Sequence, residues 1–272
     1  MELYPLTKPQ DKTCEVDNQP SKPPYMTSSK KASASDEELA TFYTKVREFY
    51  SNLHFDKTQV AEEQHYYEKV AKMARIFARL KGTTILGREK LDESPAMIYT
   101  ANHIGSYDQF YISSILDKFP LHYLVNQKVT TWPIRWNLIY KPTGVVVVEI
   151  GNIRSWNKTK AKLIQYLLHG NRVFIFAEGS RRGENNIGEF NSGIANIAQE
   201  TGLKIGTLAM KNTSKLLSKK PIICVGETIS IDQRANLKVA TQRIKDSVIE
   251  AYDRILTYES KYKKANKNIG RE

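Results

Sequence analysis

Apolar residues recur along this chain with two periods, and the change between them divides it. Leu39, Phe42, Tyr43, Val46, Phe49, Tyr50 and Leu53 keep helical spacing on one face. Ser35 before Asp36, Glu37 and Glu38 supplies an N-cap candidate and acids for the first turn. A second helix is predicted over about 62–80. Tyr66, Tyr67, Val70, Met73, Ala74, Phe77 and Leu80 form its apolar face, with Lys69, Lys72, Arg75, Arg79 and Lys81 off it. From Gly82 the pattern shortens to apolar runs separated by turns, predicting strands at 83–86, 96–101, 122–126, 144–148, 173–176, 204–209 and 222–225. Helical segments are predicted between and after them, at 108–116, 158–168, 194–200 and 237–259. Such alternation argues an α/β fold: a mixed, largely parallel sheet flanked by helices, preceded by an N-terminal amphipathic helical pair.

The ends read differently. Residues 1–35 hold five of the ten prolines, many Ser, Thr and Lys, and no apolar period, so a disordered tail is expected there. Residues 261–272 are polar and basic and are expected to fray. The expected organisation is a tail (1–35), an amphipathic helical segment (36–81), one α/β domain (82–260) and a C-terminal tail (261–272).

Composition narrows the partners. Of 272 residues, 41 are Lys or Arg and 29 Asp or Glu, a net charge of +12 that favours an anionic partner. Nucleic acid is disfavoured, because the lysines are dispersed and no zinc spacing or aromatic RNA-binding motif appears. Cys14 and Cys224 are too far apart for a metal-like spacing, and Cys224 lies in an apolar run. No disulfide framework, signal peptide or spanning segment is apparent, so a cytoplasmic protein, soluble or peripheral to a membrane, is expected. The helical pair reads either as two helices packed on the domain or as a basic interfacial pair docking on anionic lipid, and both can hold. Trp132, Pro133, Ile134, Arg135 and Trp136, with Tyr140, read as a helix start packed on the domain or as a membrane-edge patch.

Two short clusters carry the candidate chemistry. Asn102-His103-Ile104-Gly105-Ser106-Tyr107-Asp108 and Phe176-Ala177-Glu178-Gly179-Ser180-Arg181-Arg182 each follow a predicted strand. Loops at strand ends of open α/β sheets are where ligands bind. A His and an Asp five residues apart meet if the loop turns, and the carboxylate then sets the tautomer and frees the other ring nitrogen as a base. Gly105 would keep that loop compact, and Ser106 would cap the following helix. The second cluster joins Gly-freed backbone to two guanidinium groups, which suit phosphate or carboxylate. The pair points to acyl or phosphoryl transfer onto a hydroxyl of an anionic substrate. A non-enzymatic adaptor or nucleic-acid-binding role explains neither cluster.

Those residues resemble the glycerolipid acyltransferase family, whose archetype is 1-acylglycerol-3-phosphate acyltransferase. Asn102, His103 and Asp108 match its N-H-x-x-x-x-D signature in full. Phe176 to Arg181 follow its F-P-E-G-T-R signature, with Ala for Pro and Ser for Thr. Phe190-Asn191-Ser192-Gly193, Ile197-Ala198 and Thr201-Gly202-Leu203 resemble a further stretch. The resemblance implies an enzyme with no cofactor, using acyl-CoA or acyl carrier protein as donor and lysophosphatidic acid as acceptor, the alternatives being another lysophospholipid, glycerol phosphate or a secondary-metabolite acceptor. It implies His103 as general base oriented by Asp108, and Asn102, Glu178, Gly179, Ser180, Arg181 and Arg182 around the acceptor. Glu178 would position Arg181 or bond a glycerol hydroxyl. The family's third signature is degraded: Ile150 stands where an Arg is usual, and Arg154, four residues on, is the substitute candidate. A fourth lacks its proline within Lys204–Ala209.

Overall fold

The computed structural model describes residues 22–133, 136–214 and 220–269. Seven strands form one sheet: β1 (Thr84–Leu86), β2 (Met97–Ala101), β3 (Leu121–Asn126), β4 (Val146–Val148), β5 (Arg172–Phe174), β6 (Ile205–Lys211) and β7 (Ile222–Ile229). Their order is β1-β7-β6-β2-β5-β3-β4. Neighbours from β6 to β4 pair in parallel, whereas β7 is antiparallel to β6 and β1 pairs parallel to β7. Five strands therefore share one direction and the two at the β1 edge oppose it. All seven lie where the apolar runs placed them.

Side chains alternate across the sheet, and each face has its own helices. Met97, Tyr99, Ala101, Tyr123, Phe174, Leu208 and Met210 share one apolar cluster with residues of α3 (Lys57–Leu80) and α4 (Asp108–Ser113). Ile98, Val173, Ile175 and Ile205 share the other with α2 (Asp36–Ser51), α5 (Ile153–Leu168), α6 (Gly193–Thr201) and α7 (Leu237–Ile269). A strand buried on both faces needs such continuous apolar runs.

The N-terminal helices therefore do not pack as a pair. Ser35 closes a capping box with Glu38 at the start of α2, which then buries Leu39, Tyr43, Val46 and Tyr50. α3 starts earlier than its periodicity suggested, with Asp56 as N-cap. Its buried set is Glu63, Tyr67, Ala71, Ala74 and Ala78. Met73 and Leu80, assigned to the apolar face from spacing, are exposed instead. Small alanines let the helix close on its neighbours, so that seam wins over the larger side chains one position away.

Both ends depart from expectation. Part of the stretch expected to lack structure forms α1 (Ser28–Ser33), capped by Thr27. Polar ties hold it rather than apolar burial: Lys31 Nζ donates to Gln199 Oε1 at 3.1 Å, and Arg234 donates to Ala34 O and to Asp36. At the other end α7 runs on to Ile269, because no Gly or Pro interrupts 237–269. Residues 1–21, with Cys14, and 270–272 lie outside the described residues, as do Ile134 and Arg135. Of the aromatic patch around them, Trp136 packs on the first cluster, Tyr140 is buried within it, and Trp132 is partly exposed.

Candidate active site

β5, β2 and β6 are adjacent and parallel, so the segments after them leave the sheet at one edge. The sequence order reverses across β2, since β3 to β5 lie on one side of it and β6 on the other. That is a switch point of the kind where open α/β sheets bind ligands.

The loop after β2 is built around Asp108, whose side chain is fully buried at the first position of α4. Its Oδ2 accepts from Ile104 N at 2.7 Å and Gly105 N at 2.9 Å. The same oxygen lies 2.8 Å from His103 Nδ1. An ionised carboxylate only accepts, so Nδ1 carries the proton and Nε2 keeps its lone pair. Asp108 Oδ1 accepts from Thr213 Oγ1 at 2.7 Å. Gly105 is required because a Cβ there would fall 2.6 Å from Ser214 Cα. Ser106 does not cap α4: the N-cap is Tyr107, with no side-chain cap bond.

Asn102 is buried, and its side-chain amide is committed to the backbone. It donates from Nδ2 to Met210 O at 3.0 Å and accepts at Oδ1 from Met210 N at 2.7 Å, pairing with the backbone of β6.

The loop after β5 turns at Gly179, whose φ of 69° suits glycine. Glu178 points inward. Its Oε1 accepts from His103 N at 2.8 Å and its Oε2 from Gly188 N at 2.9 Å. Burial pushes its carboxyl above the ordinary carboxylate value, opposed by those two N–H groups and by the charges of His103 and Arg182. The expectation that Glu178 positions Arg181 is thus corrected: its oxygens are committed to backbone, and the nearby guanidinium is that of Arg182, 3.8 Å away. Arg182 N also donates to His103 O at 2.8 Å. Two links therefore lock the loops together.

Gly179, Ser180, Arg181 and Arg182 are exposed on the outer side of this turn. Arg182 leans on Glu178 and Gly188, whereas the Arg181 guanidinium has no hydrogen bond or ion pair among the described residues. Among the described residues of this turn, Arg181 is the cation left free to meet a ligand. Arg154 is not brought to this group. It is exposed on the first turn of α5, after β4, which lies three strands from β2. At about 4.8 Å per strand that is about 14 Å along the edge.

Spacing did not point to Thr213 or Met210, which belong to the β6 end, nor to the stacking of Phe176 on His103. A polar Thr just past an apolar strand is the one signal in the sequence that marks Thr213.

Residues 82–211 match the family model described as Acyltransferase. The 1-acyl-sn-glycerol-3-phosphate acyltransferase of Borreliella burgdorferi is 25% identical over 148 residues, 54% of this chain and 58% of that protein. A chloroplastic 1-acyl-sn-glycerol-3-phosphate acyltransferase of Arabidopsis thaliana is 26% identical over 156 residues, 56% of this chain and 42% of that protein. The chain thus spans about half the length of these curated relatives. The crystal structure of the PlsC 1-acyl-sn-glycerophosphate (LPA) acyltransferase from Thermotoga maritima superposes with a TM-score of 0.49 and 19% identity, covering 78% of this chain and 92% of that one.

Proposed function

From the match of residues 82–211 to the Acyltransferase family model, we infer that the protein transfers a fatty acyl group from a thioester, acyl-CoA or acyl carrier protein, to the free hydroxyl of lysophosphatidic acid. The product is phosphatidic acid. The observation that carries this reading is the environment of His103. Its Nδ1 side is held by Asp108, its main chain by Glu178 and Arg182, and only Nε2 remains to act as a base.

Nε2 takes the proton of the acceptor hydroxyl as its oxygen attacks the thioester carbonyl. The imidazolium that forms is stabilised by the buried Asp108 carboxylate. Collapse of the tetrahedral intermediate forms the ester and breaks the C–S bond. The leaving thiolate takes the proton from Nε2, which restores the base. Arg181 holds the acceptor phosphate beside this point, and Asn102 positions the loop without touching substrate. The displaced Arg154 and the Ile150 in place of the usual Arg favour one variant reading, in which the acceptor is another lysophospholipid or glycerol phosphate.

The acceptor is a lipid, and α3 supports a peripheral contact with an anionic bilayer on the cytoplasmic side. No helix among the described residues is long and apolar enough to cross a membrane. Lys69, Lys72, Met73, Ile76, Arg79 and Leu80 are all exposed and recur at helical spacing along one outer stripe. Because β1 runs opposite to β2, the end of α3 that leads into β1 lies at the same sheet edge as His103. Arg75 is engaged with Asp117 at 2.7 Å and Phe77 packs on Phe110 and Tyr111, so neither belongs to that stripe.

Purified protein incubated with a panel of acyl thioesters and lysolipids, read by mass spectrometry, tests the reaction. His103→Ala should lower turnover by roughly 10²–10⁴-fold. Arg181→Ala should raise the acceptor KM roughly 10-fold or more while sparing the donor, as loss of a charge-assisted contact does. Parental turnover in a folded His103→Ala protein defeats the base assignment.

A further inference from the structure

The run Met210 to Ser214, at and just past the end of β6, contacts both the loop after β2 and the loop that follows Arg182. Met210 pairs through its backbone with Asn102. Lys211 Nζ donates to Asn185 Oδ1 at 2.7 Å, and Asn212 N donates to Glu184 Oε2 at 3.2 Å, so these two residues hold the loop that follows Arg182. Thr213 donates to Asp108. Ser214 backbone fills the space that the absent side chain of Gly105 leaves. Five consecutive residues thus set the base loop and the arginine loop in register. Thr213 lies beyond the segment matched to the family, which ends at residue 211.

We propose that Thr213 is a positioning residue of the reaction, its hydroxyl fixing the plane of the Asp108 carboxylate so that Oδ2 stays on the Nδ1–H of His103. The inference rests on His103 being the general base. Both Thr213 and Asp108 are fully buried. Oδ2 receives three donors, whereas among the described residues Oδ1 receives the Thr213 hydroxyl alone. No water can reach Oδ1 from the surface to replace that donor without a rearrangement. Removing the hydroxyl has two consequences with separate readouts. The carboxylate gains freedom to turn about its Cβ–Cγ bond, which misplaces the ring. It also loses stabilisation of its charge, so it binds an imidazolium more strongly and His103 becomes harder to deprotonate. The other charged groups around His103, Glu178 and Arg182, make no contact with Thr213 and are unchanged by its truncation.

The test compares Thr213→Val, which keeps the shape and loses the donor, with Thr213→Ser, which restores the donor. Thr213→Val is expected to lower kcat by about 10–100-fold, the range for a hydrogen bond to a charged group. Acceptor and donor KM should stay near parental values. The acid limb of its kcat/KM profile against pH should move to higher pH, and Thr213→Ser should return both rate and limb. A purely structural role lowers the amount of folded enzyme and leaves the limb in place, so an unshifted limb overturns the proposal. Parental kcat in a folded Thr213→Val protein also overturns it. His103→Ala measured in parallel separates the two ideas: activity surviving His103→Ala removes the base assignment itself, whereas loss there with an unaffected Thr213→Val removes only the role of Thr213.

Discussion

Phe176 lies flat against the imidazole of His103, with ring centroids 3.9 Å apart and planes 14° from parallel. The stack fixes the one rotation that the bond to Asp108 leaves open. A flat π face also favours a cation above it, so the contact strengthens as the imidazolium forms. Phe176→Leu keeps apolar bulk and loses that face. Its kcat is expected to fall roughly 2–10-fold, the range for an aromatic pair, with little change in melting temperature, while Phe176→Tyr stays near parental. Steady-state kinetics beside thermal melts decide it; a fall in stability with kcat per folded molecule unchanged removes the catalytic part of the argument.

Glu178 presents both oxygens to backbone N–H groups in a fully buried position. Glu178→Gln places an amide N–H against one of those donors. A buried donor left without an acceptor costs about 1–3 kcal/mol, so urea unfolding should show a loss of that size. Turnover should fall as well, because one of the two donors belongs to His103. An equally stable, equally active Glu178→Gln protein would show that the two loops do not depend on this carboxylate.

A buried histidine away from the site sets a pH response unrelated to chemistry. His122 stacks on Tyr166 at 3.6 Å and lies 3.0 Å from Gly144 O through Nδ1. Burial pushes its pKa down to about 4, against the Gly144 bond. Glu63 stands 3.9 Å away but already accepts from Gln59 and Tyr166, and it does not offset the burial. In the unfolded chain His122 titrates near its ordinary value of about 6.5. The unfolded state therefore binds the extra proton between the two values, and stability falls as pH drops through that window. Chemical unfolding at pH 7 and pH 5 should differ by roughly 2 kcal/mol from this group. His122→Phe should shrink the difference, and an undiminished pH dependence in that variant assigns it elsewhere.

The outer stripe of α3 makes a separable claim about the membrane. Lys69→Glu, Lys72→Glu and Arg79→Glu combined leave the Arg75–Asp117 pair and the buried alanine seam intact. Each cation near an anionic surface contributes about 1 kcal/mol. Co-sedimentation with vesicles containing anionic lipid should drop sharply. Activity on bilayer substrate should drop with it, while activity on a short-chain soluble acceptor persists. Met73, Ile76 and Leu80 should leave residual binding that salt does not screen. Vesicle binding like the parent's would show that these charges merely solvate a packed helix.

Positions of strands were legible in the chain, while their arrangement was not. Short apolar runs such as 173–176 and 222–225 declare a buried strand wherever it sits. The reversal of β7, and of β1 beside it, is set by antiparallel pairings such as Met210 with Ile223, which no local pattern carries. The rotation of α3 was misread because large side chains outweigh alanines in any count of apolar faces, whereas close packing prefers the alanines. In the site, residues joined by short loops came out of spacing: His103 and Asp108 are five apart. Thr213 meets Asp108 across 105 positions and could not have. The inward turn of Glu178 was hidden for a related reason. Its partners are backbone N–H groups, which every residue but proline offers and no sequence marks.

The division of the N-terminal helices between the two faces of the sheet bears on how the chain acquires its structure. Tyr43 on α2 donates to Gln233 O at 3.0 Å, 190 residues later, and the apolar side of α2 rests on α5 and α6. During synthesis α2 emerges well before α5 and α6, so its apolar side stays uncovered through much of translation. Contacts of such long sequence separation form late. Protease should cut α2 readily in chains stalled before residue 193 and spare it in chains that have exposed residue 236 outside the ribosome. In this protein an early helix waits for segments made much later, and a nascent-chain chaperone that covers α2 would have its longest task there.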